Sequence, residues 1–148
     1  MNVRIEELSP MRVDGVCVVS IHPEIGAWGK MRGWAAPLDL LDDLGEHPVF
    51  GFNNPAPASG QEAYGYEFWI RIEQGIEVQG DLKTKDFPGG MYAVTTIRGF
   101  PNPLAWKQLW DWVQSSRYNW RKTHELERPL NPEAPEGETV FDLYLPIE

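Results

Sequence analysis

Glu67 and Trp69 stand two residues apart in Tyr64-Gly65-Tyr66-Glu67-Phe68-Trp69-Ile70-Arg71-Ile72. Period-two alternation sends both to one face of a strand and gives the other face to Tyr64, Tyr66, Phe68, Ile70 and Ile72. The pattern returns in Phe141-Asp142-Leu143-Tyr144-Leu145-Pro146-Ile147, where Asp142 and Tyr144 share the non-core face. A carboxylate beside an aromatic ring suits an organic cation. The acid supplies the opposite charge, and the ring supplies apolar area and a cation-π contact of about 0.5 to 2 kcal/mol. A carboxylate in a dry pocket has its pKa raised unless a cation compensates it. The competing reading for Glu67 and Asp142 is a solvated outer face, or a bond to Arg71 or another basic group.

Other reactive side chains give weaker signals. Glu125 and Glu127 share a face by alternation, and the pattern does not rank them. Trp106 and Trp110 share a helical face while Trp112 points elsewhere, so at least one indole must line a cavity or meet solvent. Cys17 is the single cysteine and lies in Val16-Cys17-Val18-Val19, which reads as a buried apolar strand. It excludes an internal disulfide. His22, His47 and His124 are too scattered for metal ligands, so neither a metal nor a cofactor is expected. Gly89-Gly90 lacks the helix and lysine of a phosphate loop and reads as a turn. No Gly-x-Ser-x-Gly elbow supports a serine hydrolase.

The elements that must hold these residues belong to one domain, residues 1–148. With 22 acidic and 13 basic residues the net charge is −9, which disfavours direct nucleic-acid binding and anionic membranes and favours cationic partners. The sequence shows neither a membrane-length apolar run nor a signal region, so a soluble, cytoplasmic protein is expected.

Shifting the chain by 75 positions aligns Glu67 with Asp142 and Trp69 with Tyr144. The same shift lays Asp14 to Ser20 on Gly89 to Thr95, and brings the proline-rich turns at Asn54 and Asn131 nearly together. A common offset across separated features argues for duplication, with repeats of approximately 1–74 and 75–148. The second repeat places a helix over Leu104 to Ser116, with Asn102 as N-cap and Pro103 in the first turn. Its counterpart, Glu24 to Leu44, is interrupted by glycines and Pro37. Strands are expected at 47–52 and 124–129, and Val3 to Leu8 and Ile76 to Asp86 extend or precede the first strand of each repeat. The expected fold is α+β: duplicated βαββ units with pseudo-twofold symmetry, antiparallel sheets with helices and a central ligand groove.

These residues resemble the GyrI-like (gyrase-inhibitor-like) domains, related to the effector-binding domains of AraC-type and MerR-type multidrug regulators. The resemblance is carried by Phe87-Pro88-Gly89-Gly90-Met91-Tyr92-Ala93-Val94, Trp106 to Trp112 with Ser115 to Tyr118, Glu125-Leu126-Glu127-Arg128 and the terminal Phe141 to Ile147. Val49 to Pro55 and Tyr64 to Ile70 also fit stand-alone members. It implies a duplicated βαββ fold whose groove takes hydrophobic, often cationic, drugs between aromatic walls and a carboxylate. Regulators of the family carry a preceding DNA-binding region, whereas here the first strand begins almost at Met1, as in a sensor without its reader. The motif favours Glu127 as principal acid, with Glu67 and Asp142 secondary and Phe52, Trp69, Tyr92, Trp110 and Tyr144 as walls.

The leading expectation is a stand-alone binder of small hydrophobic, aromatic or cationic molecules, linked to transcription regulation or drug protection. Some relatives imply an alternative, hydrolysis of cyclopropane-bearing electrophiles, with Glu127 activating water and Tyr92 or Tyr144 assisting. A further alternative is a protein partner such as gyrase. Nothing in the sequence names the natural ligand.

Overall fold

The computed structural model describes residues 1–73, 76, 80, 82–135 and 137–148. The chain divides into two units, one of Met11–Phe87 and one of Met1–Pro10 with Pro88–Glu148. Strand β1 spans Arg4–Leu8, β2 Met11–Ser20, β3 Val49–Asn53, β4 Tyr64–Arg71, β5 Lys83–Phe87, β6 Gly90–Arg98, β7 Leu126–Pro129 and β8 Val140–Pro146. Helix α1 spans Pro23–Ala35 and α2 Pro103–Gln114. Each unit therefore contains a strand-helix-strand-strand run, β2-α1-β3-β4 in one and β6-α2-β7-β8 in the other, and the fold is α+β with antiparallel strands.

The edge strands depart from chain order. β5 pairs with β2, and β1 pairs with β6. The strand order is thus β3-β4-β2-β5 in the first unit and β1-β6-β8-β7 in the second. Each repeat's leading strand lies beside the second strand of the other repeat. Of the segment expected to lead into the second repeat, 76–86, positions 77–79 and 81 lie outside the described residues. At the turn before β6, Gly89 has φ 73°, and a side chain there would collide with the Leu8 carbonyl. Glycine is the residue that adopts this conformation without strain.

In the Met11–Phe87 unit the helix-facing core joins Ala27, Met31 and Ala35 of α1 to Val16, Val49, Tyr66, Phe68 and Ile70. Three small or flexible residues four apart give α1 its buried stripe. The segment 24–44 is interrupted, as its glycines and Pro37 lead one to expect. The helix stops at Ala35, followed by 3₁₀ turns at Ala36–Leu38 and Leu40–Asp42, with Asp39 left-handed at φ 59°. Pro37 removes an N–H that a continuing helix needs. In the other unit Leu109 and Val113 of α2 pack on Ala93, Leu143, Leu145 and Ile147. Here the expected start is found: Asn102 accepts a hydrogen bond from the Ala105 N–H at 2.9 Å, and Pro103 follows it.

Cys17 is exposed, which corrects its reading as a core residue. Alternation gives Val16 to the core and turns Cys17 to the opposite face, across from Glu67. Partial burial and the Glu67 charge push its thiol pKa up, which disfavours the thiolate.

Candidate functional site

The structure sorts the candidate side chains into three settings, two on the Met1–Pro10/Pro88–Glu148 unit and one on Met11–Phe87. On the first of these units, β7 and β8 alternate so that Glu127, Leu143 and Leu145 face α2 while Arg128, Asp142 and Tyr144 face the other way. Trp106 and Trp110, one turn apart on α2, flank the buried Leu109. The Trp106 indole N–H donates to Glu127 Oε2 at 3.1 Å. Glu125, just ahead of β7, joins Trp106, Trp110, Pro103, Lys107 and Leu145 around a cavity of about 370 Å³. The Trp120 ring meets Trp110 edge to face at 5.8 Å.

Two charges in this cavity have different fates. The Lys107 ammonium is drawn to Asp111 of the next turn, 2.6 Å away. Among the described residues Glu125 has no hydrogen-bond or ion-pair partner. Much of Glu125 is exposed, yet its carboxyl has lost enough water for burial to push its pKa up. An acid whose charged form is short of compensation, beside two indoles, is chemically suited to a cation with an apolar body.

On the opposite face of the same unit, Tyr92 and Tyr144 are fully buried and meet edge to face at 5.7 Å. Burial pushes both phenol pKa values up against the opposing pull of Arg121 on Tyr92 and Arg128 on Tyr144. Asp142 accepts from the Arg4 guanidinium at 2.7 Å and from the Thr96 hydroxyl. The unit thus brings Trp110 and Glu127 together on its helix side, and Tyr92, Tyr144 and Asp142 together on the other. Neither tyrosine stands on the face that Glu127 occupies.

In the Met11–Phe87 unit the face away from α1 carries Phe52, Glu67 and Trp69. Phe52 and Phe87 meet the Trp69 ring edge to face at 4.7 and 5.3 Å. Gly15 makes room for the indole, since a Cβ there would lie 2.6 Å from Trp69 Cδ1. Glu67 is only 3% exposed. Its Oε2 accepts from the Trp69 indole and the Lys85 ammonium, both at 2.6 Å, and its Oε1 accepts from Asn54 at 3.1 Å. Burial alone would raise the carboxyl's pKa, but these hydrogen bonds and the lysine charge hold it below the ordinary value. Glu67 is therefore neither solvated nor paired with Arg71, which binds Glu46 instead.

Nothing local in the sequence assigns Lys85 a role, since its acidic partner lies across the sheet on β4. Trp120 does carry a sequence signal, an indole shortly after a tryptophan-rich helix. Glu125 was detectable by alternation with Glu127 but not separable from it.

No curated protein matches this sequence. Among solved structures, the C-terminal domain of EcmrR matches with a TM-score of 0.71 at 12% identity, over 99% of this chain and 97% of that one. The EcmrR chain in its cryo-EM complex with DNA matches at 0.72 and 13% over 99% of this chain, which spans 57% of that longer one. A hydrolase from Listeria innocua matches at 0.71 with 11% identity, over 99% of this chain and 91% of that chain. SAV2435 bound to tetraphenylphosphonium matches at 0.63 with 13% identity, over 100% and 94%. At these identities the likeness shows the fold. The model of the GyrI-like small molecule binding domain matches residues 1–148, and the chain belongs to that family.

Proposed function

We propose that this chain binds lipophilic organic cations and related aromatic compounds at the Glu125 cavity beside α2. The observation that carries the reading is a carboxyl with no partner among the described residues and a raised pKa, set against the Trp106 and Trp110 indoles in a cavity of about 370 Å³. A cation restores the missing compensation for the ionised form, and its hydrocarbon surface gains area against the indoles and Leu145. Few directional hydrogen bonds are required, so the site would accept varied ligands. Membership of a small-molecule-binding family supports this reading, as does the solved relative that carries tetraphenylphosphonium. Glu127 supports the wall by fixing the Trp106 indole.

Tetraphenylphosphonium is a suitable probe, followed by quenching of tryptophan fluorescence. Binding is expected below about 100 μM, and Glu125→Gln should weaken it about tenfold, equal to about 1.4 kcal/mol. A flat titration for the wild type, or unchanged affinity in Glu125→Gln, would sink the proposal.

One observation favours a second reading, hydrolysis of electrophilic compounds in the same cavity. A carboxyl with a raised pKa can take up and release a proton nearer neutrality, as general acid-base chemistry requires. The Tyr92 and Tyr144 hydroxyls project from the opposite face of the sheet, so in this version Glu125 or Glu127 works with water alone. Turnover of a cyclopropane electrophile that disappears in Glu125→Gln or Glu127→Gln would promote catalysis over capture.

A further inference from the structure

We propose that Glu67, Trp69 and Asn54 form a separate site for primary ammonium ions, which the chain keeps filled with its own Lys85 ammonium. The proposal uses none of the residues around Glu125 and stands independently of that cavity. A ligand of the matching class is a small protonated primary amine on an alkyl or aryl body.

Three observations support exchange rather than a fixed structural ion pair. First, the acceptor is buried and the donor is not. The Glu67 side chain is 4% accessible and that of Lys85 44%, so the lysine arm lies along the surface while its head reaches inward. Lys85 belongs to β5, the outer strand of its unit, from which the arm can swing into water. Second, Lys85 is held lightly. Its ammonium has one polar partner among the described residues, Glu67, and lies 5.8 Å from the Trp69 ring centroid. Third, Glu67 also accepts hydrogen bonds from Trp69 and Asn54, neither of which involves the lysine, so the acceptor has a hold of its own. Exchanging one ammonium for another leaves the buried charge compensated throughout.

The equivalent acid of the other unit shows what a locked pair looks like. Asp142 also takes a cation from its unit's edge strand, Arg4 of β1. That guanidinium is tied as well to Glu6 at 2.6 Å and Thr96 at 3.0 Å, and its planar fork suits several acceptors at once. Lysine has only its point charge on a flexible stem. The difference selects Glu67 as the exchangeable site. The demand for an N–H follows from geometry, since Oε2 receives a hydrogen bond from the resident ammonium. A quaternary ammonium or a phosphonium has none to offer.

Calorimetric titration of the full chain with 2-phenylethylammonium tests the proposal. If Lys85 fills the site nine-tenths of the time or more, its removal raises apparent affinity about tenfold or more. Lys85→Ala should therefore bind the amine at least that much tighter than wild type, tetraethylammonium should show no such gain, and Lys85→Ala/Glu67→Gln should lose it. Equal affinity in wild type and Lys85→Ala, or a gain that survives in the double variant, would overturn it. Should Lys85→Ala fail to fold, refolding is repeated with each ion: recovery by the primary amine alone supports the proposal, and recovery by neither overturns it. Every titration is repeated in the Glu125→Gln background, where the gain from Lys85→Ala should persist; its loss there would overturn the proposal by tracing the gain to the other cavity.

Discussion

Glu125 and Glu67 are both carboxylates near indoles, and their surroundings push their pKa values in opposite directions. Burial without a partner raises Glu125, while three donors outweigh burial at Glu67. The linkage signs are opposite. For Glu125 the folded pKa exceeds the unfolded one, so the fold binds the proton more tightly and stability falls as pH rises between them. Glu125→Gln should thus raise the melting temperature at pH 7 while weakening cation binding, with the thermal gain vanishing below about pH 4.3, where the unfolded glutamate is itself protonated. For Glu67 the folded pKa is depressed, so its contribution is present above the unfolded value and disappears as pH falls through the folded one. Glu67→Gln should cost about 1 to 3 kcal/mol at pH 7, and the deficit should shrink on acidification. Thermal unfolding at pH 7 and in acid checks both, and parallel pH trends for the two variants would contradict the assignment. The acid-indole pair of β4 was legible because alternation fixes which side chains share a face. Its partner Lys85 was not, because a cross-sheet neighbour leaves no local signal in the chain.

Among the elements, α2 was readable and α1 only partly so. Asn102-Pro103 combines a side-chain acceptor with a residue whose missing N–H costs nothing in the first turn, and the observed cap uses both. Asn102→Ala removes the acceptor for the Ala105 N–H and should cost about 1 kcal/mol, or about 2–4 °C in melting temperature. Because α2 carries Trp106 and Trp110, fraying there should also weaken tetraphenylphosphonium binding, whereas Asn102→Asp, which keeps an acceptor, should retain both properties. Thermal melts and titration of the two variants decide this, and a loss in Asn102→Asp equal to that in Asn102→Ala would refute it. In α1 the glycines and Pro37 obscured where regular structure ends. Gly26 has a packing reason, because a Cβ there would lie 3.2 Å from Val18 Cγ1 of the preceding strand, but this depends on how α1 docks on β2, which residue spacing does not show. The strand exchange of β1 and β5 was hidden for a similar reason. A repeat offset shows that two segments are alike, not which neighbour each chooses.

At the scale of the whole chain, duplication and charge are the two readable properties that bear on function. The repeat anticipated β4 and β8 as equivalent central strands, each carrying an acid that faces away from its helix. The net charge of −9 adds a sequence-wide field that draws cations toward the protein. Its effect is separable from the contacts inside a cavity, because salt screens distant charges while leaving apolar burial largely intact. Moving from about 0.01 M to 0.5 M sodium chloride shortens the screening length from about 30 Å to under 8 Å. Tetraphenylphosphonium affinity should then fall several-fold in wild type, whereas neutral triphenylphosphine oxide of similar shape should bind weakly and nearly independently of salt. Glu125→Gln removes the nearest charge but leaves the remainder of the field, so it should flatten the salt dependence without abolishing it. Fluorescence titrations at the two ionic strengths measure this directly. A salt slope shared by the cation and the neutral compound would show that apolar burial alone drives capture, and that the acidic residues serve the fold rather than the ligand.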